Sequence, residues 1–140
     1  MEQKQYDLKS LNIPFQMHDE EISRILFFEN SLQLCVDELH LIPNYSKATI
    51  ELSGIDDVSS CVYIDIYDMK YCKIMGGRRY YADEFDSIWG NGNKLIILDT
   101  LVGYDGMFML IGELSENETI GEKYFSLVIY ASSVIYTLYE

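Results

Sequence analysis

Two histidines, His18 and His40, stand near opposite ends of the segment MHDEEISRILFFENSLQLCVDELHLI, residues 17–42. Each has carboxylates beside it: Asp19 follows the first, and Asp37 and Glu38 precede the second. Imidazoles and carboxylates gathered in one place can hold zinc or another borderline cation, or move a proton between an acid and a base. Whether these do depends on what lies between them. The intervening pattern is that of a β-hairpin: an apolar run from Ile22 to Glu29, the short loop ENS at 29–31, and a second run from Leu32 to His40. An antiparallel hairpin brings its open ends together, so His18 and His40 are expected to meet, with Asp19, Asp37 and Glu38 nearby. The chain has only two histidines, however, and metal-dependent phosphohydrolases that use His-Asp pairs set them on helices and need further ligands. The favoured reading is that His18 and Asp19 cap a sheet edge by hydrogen-bonding loop backbone. On that reading the chain needs no metal or other cofactor. A metal-binding protein or metal-dependent enzyme built on His18, Asp19 and His40 is the alternative.

Other chemistry-bearing patterns are weaker. There is no GxSxG, Walker loop or dinucleotide fingerprint. The stretch MGGRR, residues 75–79, has the glycines and arginines of a phosphate cradle but no helix pattern after it, and a strand turn explains it more simply. The acidic groups Asp56-Asp57 and Asp83-Glu84-Asp86 do not have the spacing of a calcium-binding loop and read as solvated loops. The expectation is therefore a protein without enzymatic activity.

The elements that must position these residues have period two rather than 3.6. Ala48, Ile50 and Leu52 alternate with Thr49, Glu51 and Ser53, and Val62, Ile64 and Ile66 with Tyr63, Asp65 and Tyr67. KLIILDTLV reads as a strand buried on both faces, followed by the strands MFMLIGEL and YFSLVIYA. SSVIYTLYE reads as a last strand, and ADEFDSIW as a helical turn or a short strand. Turn signals fall at PNYS, GIDDVSS, GGRR (76–79), GNGN (90–93) and GYDG (103–106), the last being the clearest hairpin turn. This spacing predicts an all-β, single-domain antiparallel β-sandwich or partly open barrel spanning residues 1–140, with about eight to ten strands.

Charge and cysteine usage narrow the setting. With 23 acidic and 10 basic residues the chain carries −13, a field that repels nucleic-acid phosphates and anionic membrane surfaces. A basic protein partner suits it better, although the same charge also serves solubility. A hydrophobic fraction of 49% is too high for a disordered chain. Cys35, Cys61 and Cys72 are odd in number and form no CxxC pair, and no apolar stretch has signal-peptide or membrane-span length. A cytoplasmic protein with reduced thiols is expected.

One surface stands out. Tyr63, Asp65, Tyr67 and, if the strand runs on, Tyr71 share one face by period two, in a chain with 12 tyrosines. Tyrosine supplies rigid contact area with a polar tip and is favoured at interfaces, although it also covers sheet faces by cross-strand pairing. The expected partner surface is Tyr63, Asp65, Tyr67 and Tyr71, with Asp56, Asp57, Asp83 and Glu84 steering approach.

The order of HDEEI, the hairpin FFENSLQLCVDELHL, ATIELSGI, FDSIW, LIILD and the closing YFSLVIYASSVIY resembles small β-rich bacterial proteins of uncharacterised function, some of them similar to immunity proteins of polymorphic-toxin systems. The resemblance is one of layout over most of the chain and carries over no functional residue. It implies a small cytoplasmic protein that works by binding, as acidic immunity proteins neutralise basic nuclease toxins. A structural or oligomerising domain without a ligand is a further alternative.

Overall fold

Inward and outward residues alternate along nearly every strand, and that alternation builds two antiparallel sheets packed face to face. The computed structural model describes residues 2–7, 17–89, 94–116 and 119–140. In chain order the elements are β1 (Glu2–Asp7), β2 (Glu21–Ile22), β3 (Arg24–Phe27), β4 (Ser31–Val36), β5 (Lys47–Ser53), α1 (Val58–Cys61), β6 (Tyr63–Lys70), β7 (Lys73–Tyr81), α2 (Asp86–Trp89), β8 (Lys94–Val102), β9 (Met107–Glu116), β10 (Thr119–Tyr130) and β11 (Ser133–Tyr139). Among the described residues a five-stranded sheet runs β1-β11-β5-β4-β3 and a six-stranded sheet runs β2-β8-β9-β10-β6-β7. The fold is an all-β sandwich, and the closing segment is a strand, as its β-branched and aromatic residues require.

The core is one contiguous cluster between the sheets. Leu34, Ile50, Leu52, Val134 and Tyr136 come from one side, and Ile64, Leu95, Ile97, Phe108, Phe125 and Leu127 from the other. Phe85, just before α2, closes part of the cluster by meeting Phe27 edge-on at 5.0 Å between ring centroids. Gly112 on β9 is required by a close approach: a Cβ there would lie 2.0 Å from the Ile96 carbonyl oxygen and 2.4 Å from the Phe125 ring.

Several local expectations change. The first hairpin strand does not run unbroken from Ile22 to Glu29. Glu21–Ile22 pairs with β8 and Arg24–Phe27 with β4, so the chain passes between sheets at Ser23. Its partner β4 ends at Val36, not His40. KLIILDTLV is buried on one face only: β8 carries a bulge between Ile97 and Asp99, and Asp99 and Leu101 are exposed. GIDDVSS is not a simple turn, because Asp57 caps α1. GGRR lies inside β7 rather than in a turn. The turn is at Tyr71-Cys72, where φ is 51° and 61°, the left-handed pair that a two-residue hairpin loop needs. Gly77 sits opposite Tyr67, and the tyrosine ring covers it, with Cδ1 3.4 Å from where a Cβ would stand. GYDG is the hairpin turn between β8 and β9, with Asp105 and Gly106 at positive φ. ADEFDSIW is helical, and GNGN at 90–93 lies outside the described residues. Among the described residues no helix is long and apolar enough to cross a membrane.

Candidate functional site

The outer face of the six-stranded sheet is assembled from alternate residues of five strands, with the β8 bulge adding one residue between Ile96 and Asp99. Strand register lines them up in three transverse rows. The first is Leu101, Met109, Val128, Tyr63 and Tyr81; the second is Asp99, Ile111, Ser126, Asp65 and Arg79; the third is Ile96, Glu113, Tyr124, Tyr67 and Gly77. None of the fifteen is a fully buried core side chain, and Leu101 and Tyr81 are each 39% exposed. Tyr63, Asp65 and Tyr67 thus share the face that their alternation predicts, because Ile64 and Ile66 are drawn into the core.

The centre of the face is electrostatically closed. Arg79 donates through Nε to Asp65 Oδ1 at 2.7 Å and through Nη2 to Oδ2 at 3.0 Å. Its guanidinium also stacks 3.8 Å from the centroid of the Tyr63 ring. The Asp65 carboxylate, and after it the Tyr81 hydroxyl, hold the Arg79 pKa above its ordinary value. Asp65 is therefore no free acid waiting for a basic partner; its charge is met within the chain. Neither Arg79 nor Tyr81 is expected here from sequence, since reading GGRR as a turn hides the strand that presents them. The signal that finds them is the alternation Gly77, Arg79, Tyr81 opposite Tyr67, Asp65, Tyr63.

The other expected partner residues are scattered. Tyr71 is 91% exposed, but in the hairpin loop beyond the bulge at Asp68–Met69, so it does not extend the Tyr63–Tyr67 face. Asp57 is spent on α1: its carboxylate accepts from the Ser59 amide at 3.1 Å and from the Ser59 and Ser60 hydroxyls at 2.8 Å each. Those hydroxyls hold its pKa below the usual value. Glu84 lies 3.6 Å from Arg78 Nη2. Asp56 and Asp83 are exposed, and contact between α1 and the turn at Ala82–Glu84 puts both at the Tyr63–Tyr81 end of the sheet.

The histidine cluster does not assemble as expected. His18 Nδ1 donates to the carbonyl of Leu98, the residue at the β8 bulge, and Nε2 lies 3.4 Å from Asp19. The residue that joins the two ends of the segment is Glu20, fully buried, whose carboxylate accepts from the backbone amides of His40 at 2.9 Å and Leu41 at 3.1 Å. The His40 side chain lines a separate open cleft with Glu21, Ser23, Asp37, Glu38 and Lys94. Among the described residues no three His, Cys, Asp or Glu side chains are grouped to hold a metal ion, so His18, Asp19 and His40 do not form the alternative site. Local pattern carries no hint of Glu20, because its neighbours Asp19 and Glu21 are equally acidic and only the crossing between sheets buries one of the three.

Cys35, Cys61 and Cys72 are free thiols. Burial pushes the Cys35 thiol pKa up, against the pull of the adjacent Arg24. No family model, no curated protein and no solved structure matches the chain.

Proposed function

We propose that this chain is a non-enzymatic binding protein, of the immunity-inhibitor kind, that holds a basic protein partner on the outer face of its six-stranded sheet. The observation that carries the reading is the pair of aromatic and aliphatic rows, Leu101 to Tyr81 and Ile96 to Tyr67, flanking a polar middle row closed by the Asp65–Arg79 pair. A half-exposed sheet face of mixed apolar and polar rows suits a protein partner's surface. The tyrosines act as anchors: Tyr63 is already fixed by Arg79, and Tyr67 by its seat over Gly77, so little side-chain freedom is lost on contact. The net charge of −13 supports a basic partner, with Asp56, Asp83, Asp99 and Glu113 at or near the face to steer it.

The test is affinity capture by the whole chain, followed by binding kinetics of the captured protein. Tyr63→Ala and Tyr67→Ala should each weaken binding by about 2 kcal/mol or more if they are central anchors, mostly through faster dissociation. Asp56→Asn with Asp83→Asn should slow association at low salt and matter little at high salt. A partner that binds both tyrosine variants as tightly as the natural chain would reject this face.

A further inference from the structure

We propose that the free edge of β7 accepts an extended, acidic polypeptide segment as an additional strand of the six-stranded sheet. This goes beyond the outer-face reading and stands or falls separately from it.

Charge distribution is the first observation. Residues 70–81, KYCKIMGGRRYY, hold four of the chain's ten basic residues and no acidic one, so the remaining 128 residues carry six basic and 23 acidic. In a chain this acidic, three cations on β7 and a fourth at the end of β6, with no acidic residue between them in sequence, make a local concentration of positive charge opposite in sign to the rest of the molecule.

The strand's position is the second. β7 is the outermost strand of its sheet, hydrogen-bonded to β6 on one side, with no described strand on the other. Every residue from Lys73 to Arg79 is exposed. At its middle, Gly76 has no atom within 4 Å of the position a Cβ would take, so no side chain lies over the sheet face there. An added strand would pair with the outward-facing backbone groups of that edge.

Cations on an edge strand can also serve only to prevent aggregation. Two features favour a ligand. A guarded edge avoids apolar side chains, yet Ile74 and Met75 are 61% and 63% exposed beside the charges. And the cations are not all engaged. Arg79 is committed to Asp65, and Arg78 stacks on Tyr80 at 4.3 Å, donates through Nη1 to the Tyr80 hydroxyl at 3.4 Å and pairs with Glu84 at 3.6 Å. Lys73 has no carboxylate partner among the described residues, and the Arg78 side chain is still 64% exposed, open to a second carboxylate from outside. A nucleic acid would satisfy the same cations, but its phosphates would face the acidic remainder of the chain and gain nothing from an open strand edge.

The experiment uses the full chain and a fluorescent nine-residue peptide of alternating valine and glutamate, read by anisotropy. Saturable binding is expected, weakened about tenfold or more between low and high salt as the charges are screened. The same peptide with lysine for glutamate should not bind. Nor should one N-methylated at alternate residues, which cannot form the ladder. Lys73→Glu with Arg78→Glu should weaken binding about tenfold or more, as loss of charge-assisted contacts does; the milder Lys73→Gln with Arg78→Gln covers the case in which charge reversal unfolds the hairpin. Leu101→Ala, on the outer face but on β8 away from β7, should leave peptide binding unchanged, which separates this edge from the outer face. Failure of the acidic peptide to bind would overturn the proposal. So would equal binding of the N-methylated peptide, unchanged binding by both folded double variants, or displacement of the peptide by a single-stranded oligonucleotide at equal charge concentration.

Discussion

The assignment of the two faces of β6 is tested most directly by comparing Ile64→Ala with Tyr67→Ala. The residues are three apart on one strand, but Ile64 is 0% exposed in the core, whereas Tyr67 stands on the outer face. Truncating isoleucine to alanine removes three carbons, about 2.4 kcal/mol at roughly 0.8 kcal/mol each. The cavity left between two packed sheets raises that to about 3–4 kcal/mol. For a chain of 140 residues this corresponds to a fall in Tm of about 10 °C. Tyr67 loses only its cross-strand contact with Tyr124 and its cover over Gly77. Such pairs contribute about 0.2–1 kcal/mol, so Tm should drop by no more than about 3 °C. Thermal melts followed by circular dichroism, with urea titrations to confirm that the m-value is unchanged, measure both. If Tyr67→Ala costs as much as Ile64→Ala, the tyrosine face is covered in the folded chain. It then cannot be a contact surface, and the functional reading built on it fails.

Two further outcomes follow from groups the fold has engaged. Glu20→Ala should destabilise the chain by about 2–4 kcal/mol, because the amides of His40 and Leu41 lose their buried acceptor, while Glu20→Gln, which keeps one carbonyl oxygen, should cost less; denaturant unfolding checks both, and a neutral Glu20→Ala would refute the structural role of this carboxylate. Asp57→Ala should lower Tm near neutral pH, where the ionised cap is fully effective. Since the folded pKa of Asp57 is depressed by the Ser59 and Ser60 hydroxyls, its contribution is present above the unfolded carboxylate value of about 4 and is lost as pH falls through the folded value. The gap in Tm between the natural chain and Asp57→Ala should therefore narrow in melts below about pH 4, and a gap constant with pH would show that the charge on Asp57 does nothing.

The candidate surface is partly legible in the order of residues. Period two in VYIDIYD sets which of its residues face out, because a strand in a two-layer fold must bury one side and the apolar set there is Val62, Ile64 and Ile66. The same alternation in MFMLIGEL and YFSLVIYA supplies Met109, Ile111, Tyr124 and Val128, but which strands lie beside β6 is a matter of topology, and local pattern is silent on that. Arg79 and Tyr81 are hidden by the glycines before them, since Gly-Gly signals a turn unless a neighbouring ring covers it, as Tyr67 covers Gly77.

By itself the sequence determined the strand-rich class, the inward and outward residues of the regular strands, the hairpin turn at GYDG and the acidity of the whole. Each follows from local periodicity, local turn chemistry or a simple count. Tertiary structure alone decided the rest. It moved the chain between sheets at Ser23, buried Glu20 among equally acidic neighbours, kept His18 and His40 in separate roles, and set Arg79 across from Asp65. These outcomes depend on which segments become neighbours across long stretches of chain. That pairing is fixed by the packing of two whole faces against each other, which no short window of residues encodes.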